Sequence, residues 1–231
     1  MNIRHFTFNP YQENSILIWD DSLTGVIIDP GCCDSSELEQ LKSFVADKGI
    51  KPAAILLTHA HFDHIYGVKG CVEAYGTPVY MHPDDKVMKD NAAALAIRSF
   101  MPAPDCSWDT VDICDDQTLT FGSMTLKVIT TPGHSPGSVC YLCAESGDLF
   151  CGDTLFAGTI GRTDLPGGDY DHEIVSIMDK IMGLDGDVDI HPGHGGMSNI
   201  GHERTHNPFL QPFNEKDEDS GEVEGIEISG F

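Results

Sequence analysis

The chain has 231 residues, 40% hydrophobic and 22% charged, which is the length and composition of one fairly large soluble domain, or two small ones, with a substantial core. Its formal net charge of -24 excludes a surface built to track nucleic-acid phosphates, which needs clustered Lys and Arg. No run approaches the roughly 18 apolar residues that cross a bilayer. Residues 1–20 hold no unbroken apolar stretch ahead of a small-residue cleavage site, so the expected location is the cytoplasm, without a membrane partner.

In chain order, the segments 14–20 (NSILIWD) and 25–30 (GVIIDP) are predicted strands, separated by an Asp-Ser-Leu-Thr-Gly turn. A helix follows over 34–49, capped by Ser35 or Ser36, with Leu38, Leu41, Phe44 and Val45 at helical spacing and Gly49 as its stop. The run PAAILLTH at 52–59 is a strand of the kind buried on both faces. A helix across GVKGCVEAYG, a strand at PVYMH and a helix from about Pro83 to Arg98 continue the alternation. The Pro- and Asp-rich stretch 100–117 is expected to be a loop covering a cleft. The remainder is mainly strands, at MTLKVITT, GSVCYLCAES and DLFCGDT, then a helix near YDHEIVSIMDKIMG and a last strand VDIHPGH. Interleaved helices and strands with a strand-rich second half indicate an α/β or α+β sandwich with helices outside the sheets. Residues 1–213 form the expected domain. From Asn214 the chain carries seven acids against one lysine, a composition expected to stay disordered, although its last residues GIEISGF alternate enough for a short strand or docking peptide.

Eight cysteines raise the question of disulfides, but a chain of this length without a secretion signal has no need of them. Cys140 and Cys143 lie three apart on a predicted strand and therefore point to opposite faces, so they do not chelate one ion.

The chemistry concentrates in LLTHAHFDH, where His59, His61, Asp63 and His64 fall within six consecutive positions at the end of a buried strand. Imidazole and carboxylate suit zinc, iron or manganese. His59 and His61, two apart on extended chain, can aim at one ion, while Asp63 and His64 lie past the bend and can face a second. His134 in TTPGHSPGS, Asp153 in FCGDTLF and His194 in DIHPGHGG each follow another predicted strand, in glycine-rich turns. His82, His172, His191, His202 and His206 fall outside this pattern and are read as structural, and Arg204 and Asn207 as fixing the C-terminal turn.

The motif THAHFDH followed by His134, Asp153 and His194 resembles the metallo-β-lactamase superfamily from about residue 1 to Phe213. The resemblance implies an αβ/βα four-layer sandwich with metals in a groove at one edge of the sheets. It implies two divalent metal ions, zinc first, with iron or manganese as alternatives. His59, His61 and His134 would bind one, Asp63, His64 and His194 the other, and Asp153 would bridge them. The commonest β-lactamases place a cysteine near the position of Asp153, whereas glyoxalase II-like thioester hydrolases use aspartate. GTIGRTDLPGGDY and GHERTHNPFL are similar to the small single-domain glyoxalase II-like proteins of bacteria. Arg162 matches a position that in glutathione-handling members holds the glycine carboxylate of glutathione. Asp164 stands where two-domain glyoxalases II carry a tyrosine.

The implied activity is hydrolysis of an acyl-thiol such as S-lactoylglutathione, a small-molecule substrate, by a hydroxide held between the metals and oriented by Asp63. The rival implied by the same ligand set and the GRTD stretch is a mononuclear-iron persulfide dioxygenase, in which Phe-Gln usually follows GRTD in place of Leu-Pro-Gly-Gly. RNA processing, a third activity of the superfamily, is disfavoured by the acidic balance.

Overall fold

Alternation within the strands decides the layering. Ile16 and Ile18 face one way and Leu17 the other; Val26 and Ile28 oppose Ile27; Val128 opposes Ile129. Strands apolar on both faces must be covered on both, and the computed structural model, which describes residues 1–211, covers them with a second sheet inside and helices outside.

The first sheet has the order β1 (Asn2–Phe8), β2 (Glu13–Trp19), β3 (Thr24–Ile28), β4 (Lys51–Leu56), β5 (Val79–Met81) and β6 (Thr110–Asp112). Helices α1 (Ser35–Lys48), α3 (Val68–Tyr75) and α4 (Lys86–Arg98) pack on its outer face through Leu41, Val45, Cys71, Met88 and Ala92, while α2 (Phe62–Ile65) is a single turn after β4. The second sheet comprises β7 (Thr118–Phe121), β8 (Met124–Thr130), β9 (Val139–Cys143), β10 (Asp148–Gly152), β13 (Asp189–Pro192) and β14 (Ser198–Asn199), with β7 and β14 at its edges. A small hairpin, β11 (Leu155–Phe156) and β12 (Thr159–Ile160), lies beside it. Its outer face is covered by α5 (Tyr170–Ser176), a π-helical turn at Ile177–Ile181 and α6 (Ile200–His206), through Ile174, Ile177, Ile181 and Ile200. Between the sheets, Ile16, Ile28 and Leu56 meet Leu126, Tyr141 and Phe150. The result is the αβ/βα four-layer sandwich.

Strand direction positions the site. Strands β8 and β10 both run antiparallel to β9, and β13 runs parallel to β10, so all three end at the same edge of the second sheet. Strand β4 ends at that edge too: Val139 N–H bonds to Thr58 O at 2.8 Å, and the buried Tyr141 hydroxyl donates to Leu57 O at 2.7 Å.

Several local expectations change. The cap of α1 is Asp34, whose carboxylate accepts from Ser36 N and Glu37 N, because Asp34 is the residue left in extended conformation while Ser35 is already helical. The stop at Gly49 is as expected, with φ of 69°. Residues 101–109 are the expected loop, but the stretch packs onto the first sheet and contributes no residue to the cavity beside His61 and His134. Trp108 is buried in the outer core, Lys89 Nζ donates to Trp108 O at 2.5 Å, and 110–112 form β6. Strands β1 and β7 carry polar residues on one face, which hides them from a reading that looks for apolar runs. Cys140 lies in the outer core of the second sheet and Cys143 in the inter-sheet core, on opposite faces. All eight cysteines are free thiols. Residues 212–231, with the acidic tail and the end of the expected domain, lie outside the described residues.

Candidate metal centre

The loops leaving β4, β8, β10 and β13 bring every sequence-selected histidine and aspartate to one place. Nδ1 of His61 is 2.8 Å from Nε2 of His134, which is 3.2 Å from Nε2 of His59. Beside them, Nε2 of His194 is 3.2 Å from Nε2 of His64 and 3.4 Å from Oδ2 of Asp63. Asp153 stands between the two groups, with Oδ1 3.4 Å from His64 and Oδ2 3.5 Å from both His134 and His194. His59, His61, Asp63, His64 and His134 are all buried, and His194 is the more open member.

Hydrogen bonding behind the rings sets which nitrogen faces inward. Nδ1 of His134 faces Arg162 O at 2.8 Å, Nδ1 of His194 faces Tyr11 O at 3.0 Å, and Nδ1 of His64 faces Oδ2 of Asp29 at 3.1 Å. A nitrogen facing a carbonyl or carboxylate carries the proton, so each Nε2 presents a lone pair to the centre. Lone pairs of His64 and His194 facing each other at 3.2 Å repel unless a cation lies between them. Two nitrogens bound tetrahedrally at ~2.0–2.1 Å from one zinc stand about 3.4 Å apart, so the spacing fits a divalent ion. The free Nε2 of His61 and Oδ1 of Asp153 have no hydrogen-bond partner. The donor set fits metal ions.

Electrostatics agrees. Burial, and then the neighbouring imidazoles, pulls His59 well below the usual histidine range and His61 down to about 3. Burial works against ionising Asp153, but His64 and the other histidines hold its carboxylate well below the usual range. At His64 burial is outweighed by Asp153, Asp29 and Asp63, which push its pKa well above the ordinary value. Without a metal the carboxylates draw protons onto His64 and His194 while His59 and His61 stay neutral, so the buried cluster calls for positive charge at its centre that divalent ions would supply.

A supporting frame holds the loops, and the sequence reading did not find it. Asp85, buried at the start of α4, accepts from Ala60 N at 2.6 Å and Gly137 N at 2.7 Å, tying the His59–His61 loop to the His134 loop. Glu173 of α5 accepts from His134 N at 2.8 Å, and burial raises its pKa to about 8. At the start of β2, Asn14 N donates to Gly193 O at 2.7 Å and its amide to Pro192 O and Gly195 O, seating the His194 turn. Fully buried Glu13 accepts from the Ser15 hydroxyl at 2.8 Å. Asp29 receives Thr58 N at 2.7 Å and adopts a positive φ of 46° to do so. Its only signal is an aspartate closing an apolar strand. Gly152 turns with φ of 49° against the Thr58 side chain, and a Cβ at Gly193 would strike Asp153 and, at 2.6 Å, His64.

The centre opens into a cavity of about 500 Å³ lined by Tyr11, Phe62, Met88, Leu95, Phe156, Ile160, Leu165 and Pro166 as well as by candidate ligands. Arg162 also lines it, but its Nε and guanidinium NH2 donate to both carboxylate oxygens of Asp164, at 2.8 and 2.9 Å. His191 is buried away from the centre, between Asp148 at 2.7 Å and His5 at 3.0 Å. His82 caps the turn before α4, and His202 and His206 stack on the outside of α6. Arg204 bonds Met182 O and Leu184 O, and Asn207 bonds Thr159 O, so both fasten the C-terminal turn.

Residues 8–194 match the Lactamase_B profile, described as the metallo-beta-lactamase superfamily. The chain is 34% identical over 212 residues to the hydroxyacylglutathione hydrolase GloC of Haemophilus influenzae, covering 91% of this chain and 98% of that protein. Among solved structures it is similar to the BLEG-1 B3 metallo-beta-lactamase, with a TM-score of 0.84 and 37% identity over 90% of this chain and 99% of that one. It is equally similar in sequence to TTHA1623 in a di-iron-bound form, with a TM-score of 0.81 and 37% identity over 90% of this chain and 100% of that one.

Proposed function

The chain belongs to the metallo-beta-lactamase superfamily, and from that premise we propose that it is a metal-dependent hydrolase whose substrate is a thioester. The observation that carries the reading is the pair of ligand groups sharing Asp153 at the floor of a largely apolar cavity. Similarity to a hydroxyacylglutathione hydrolase along nearly the whole chain supports it. His59, His61 and His134 would hold one ion and Asp63, His64 and His194 the other, with Asp153 between them. Zinc is the first choice of metal, and the di-iron form of TTHA1623 makes iron the comparison to run.

Two divalent ions, if held by these residues, would supply a nucleophile near neutral pH and a Lewis acid for the carbonyl. The side chains do the rest. Asp63 lies at the cavity wall, and His194 and His64 outweigh its burial to hold its carboxylate below the usual range, so it accepts a hydrogen bond from the attacking water and orients it. Phe62, Phe156 and Ile160 exclude bulk water and strengthen every charge interaction at the carbonyl. A thiolate leaves with little need of protonation, and no general acid beyond the centre is required.

The test is hydrolysis of S-D-lactoylglutathione and simpler acyl-thiols by protein reconstituted separately with zinc, manganese and iron. Turnover with kcat/KM of at least ~10⁴ M⁻¹s⁻¹ on one of them is expected. Iron-only activity accompanied by oxygen uptake on a persulfide would replace the reading with that of a dioxygenase.

A further inference from the structure

Arg162 is the basic side chain of the metal-lined cavity, and Asp164 already holds one edge of its guanidinium, through Nε and a terminal nitrogen, and offsets its charge. An anionic group arriving there meets a carboxylate as well as a cation. The anion-recognising residue of this site is better sought elsewhere.

A second cavity of about 270 Å³ adjoins the first and shares Met88, Leu95 and Pro166 with it. Helix α4 makes the common floor with two neighbouring stripes. Met88, Leu95 and Ser99 face the metal-lined cavity, while Val87, Asn91, Ala94 and Arg98 face the adjoining one. Pro166 and Gly167 form the opposite wall. From Met88 to Arg98 the helix rises about 15 Å. Arg98, at the far end, makes no ion pair or side-chain hydrogen bond among the described residues. In a chain of net charge -24, an arginine at the end of an apolar groove with no partner among the described residues is a specific feature.

We propose that the two cavities form one substrate groove, and that the substrate is an acyl-thiol with a long, mainly apolar arm of about 15 Å ending in an anion at Arg98. This replaces a short polar thiol anchored at Arg162. The assignment deepens the thioester reading and depends on it only for the bond that is cleaved. The anion is a carboxylate or a phosphate, on either the thiol or the acyl half of the molecule.

The experiment measures calorimetric binding of non-hydrolysable thioethers to the metal-loaded protein. The probes are CH3–S–(CH2)n–CO2⁻ with n from 2 to 12, their methyl esters, and the phosphate-terminated equivalents. Affinity is expected to rise about twofold to fourfold per methylene until the chain spans the groove, then level off. At that length the anion should exceed the ester by up to about fivefold. That preference should disappear in Arg98→Gln and persist in Arg162→Gln, and Ala94→Trp should flatten the length dependence. Affinity independent of length, or an anion preference that survives Arg98→Gln, overturns the proposal. Turnover of matched thioesters carrying the anion on the thiol or the acyl half tells the two orientations apart. An intact binding pattern with no thioester hydrolysed removes the hydrolase reading and leaves the groove assignment standing.

Discussion

Oδ2 of Asp29 lies 3.1 Å from Nδ1 of His64, and the same buried carboxylate receives Thr58 N–H, one residue before His59. One side chain from β3's end thus orients a candidate ligand and seats the loop that carries three more. Asp29→Asn keeps the size and offers the ring either an amide oxygen or an amide nitrogen. Affinity for the ion at His64 is expected to fall about 10- to 100-fold. Metal analysis after dialysis against graded chelator should show the stoichiometry dropping towards one while circular dichroism is unchanged.

Gly193 carries its constraint in space rather than in backbone angle, since a Cβ there meets Asp153 and His64. Gly193→Ala should cost about 1–3 kcal/mol in stability through overpacking and remove at least ~100-fold in turnover, because displacing ligands by even 1 Å has that effect. Thermal melts and kcat/KM measured side by side check both parts.

How much of this was legible in the sequence follows from where each residue's role is decided. The candidate ligands were readable because chemically distinctive residues sit at predicted strand ends, and the four-layer sandwich came with the motif they form. Asp29, Asp85, Glu173 and Glu13 were not, because a carboxylate acquires a supporting role only when distant loops fold onto it, as Asp85 does between Ala60 and Gly137. The anchoring of the 101–109 loop by Trp108 was missed because its Pro- and Asp-rich neighbours masked one buried aromatic. Asp164 was noticed as a departure from the family pattern, but its two bonds to Arg162 needed coordinates.

Those two bonds give a direct prediction for a glutathione thioester. Asp164→Asn removes the competing charge, so KM for S-D-lactoylglutathione should fall by up to about fivefold, the worth of one exposed ion pair, with kcat unchanged. Steady-state kinetics of the variant, with Arg162→Gln as its counterpart, checks this.

His5 supplies a pH dependence remote from the centre. Burial, then His191 and Arg4, lowers its pKa to about 4, against an ordinary value of 6.5. It is therefore neutral in the folded protein where the unfolded chain binds a proton. The stability it contributes is fully present above pH 6.5 and is lost as pH falls from 6.5 through about 4. His5→Gln should flatten the decline in unfolding free energy between pH 7 and 5 relative to the parent protein. Urea melts across that range read the difference in slope.

Two ions, joined through Asp153, are proposed to perform the hydrolysis together. The most direct measurement titrates zinc into metal-free protein while following thioester turnover and bound metal together, for the parent chain and for Asp153→Ala. Activity is expected to develop as the second equivalent binds, and Asp153→Ala to lose most of its metal along with its turnover. Full activity at one equivalent, or an Asp153→Ala protein that holds two ions and turns over normally, would contradict it.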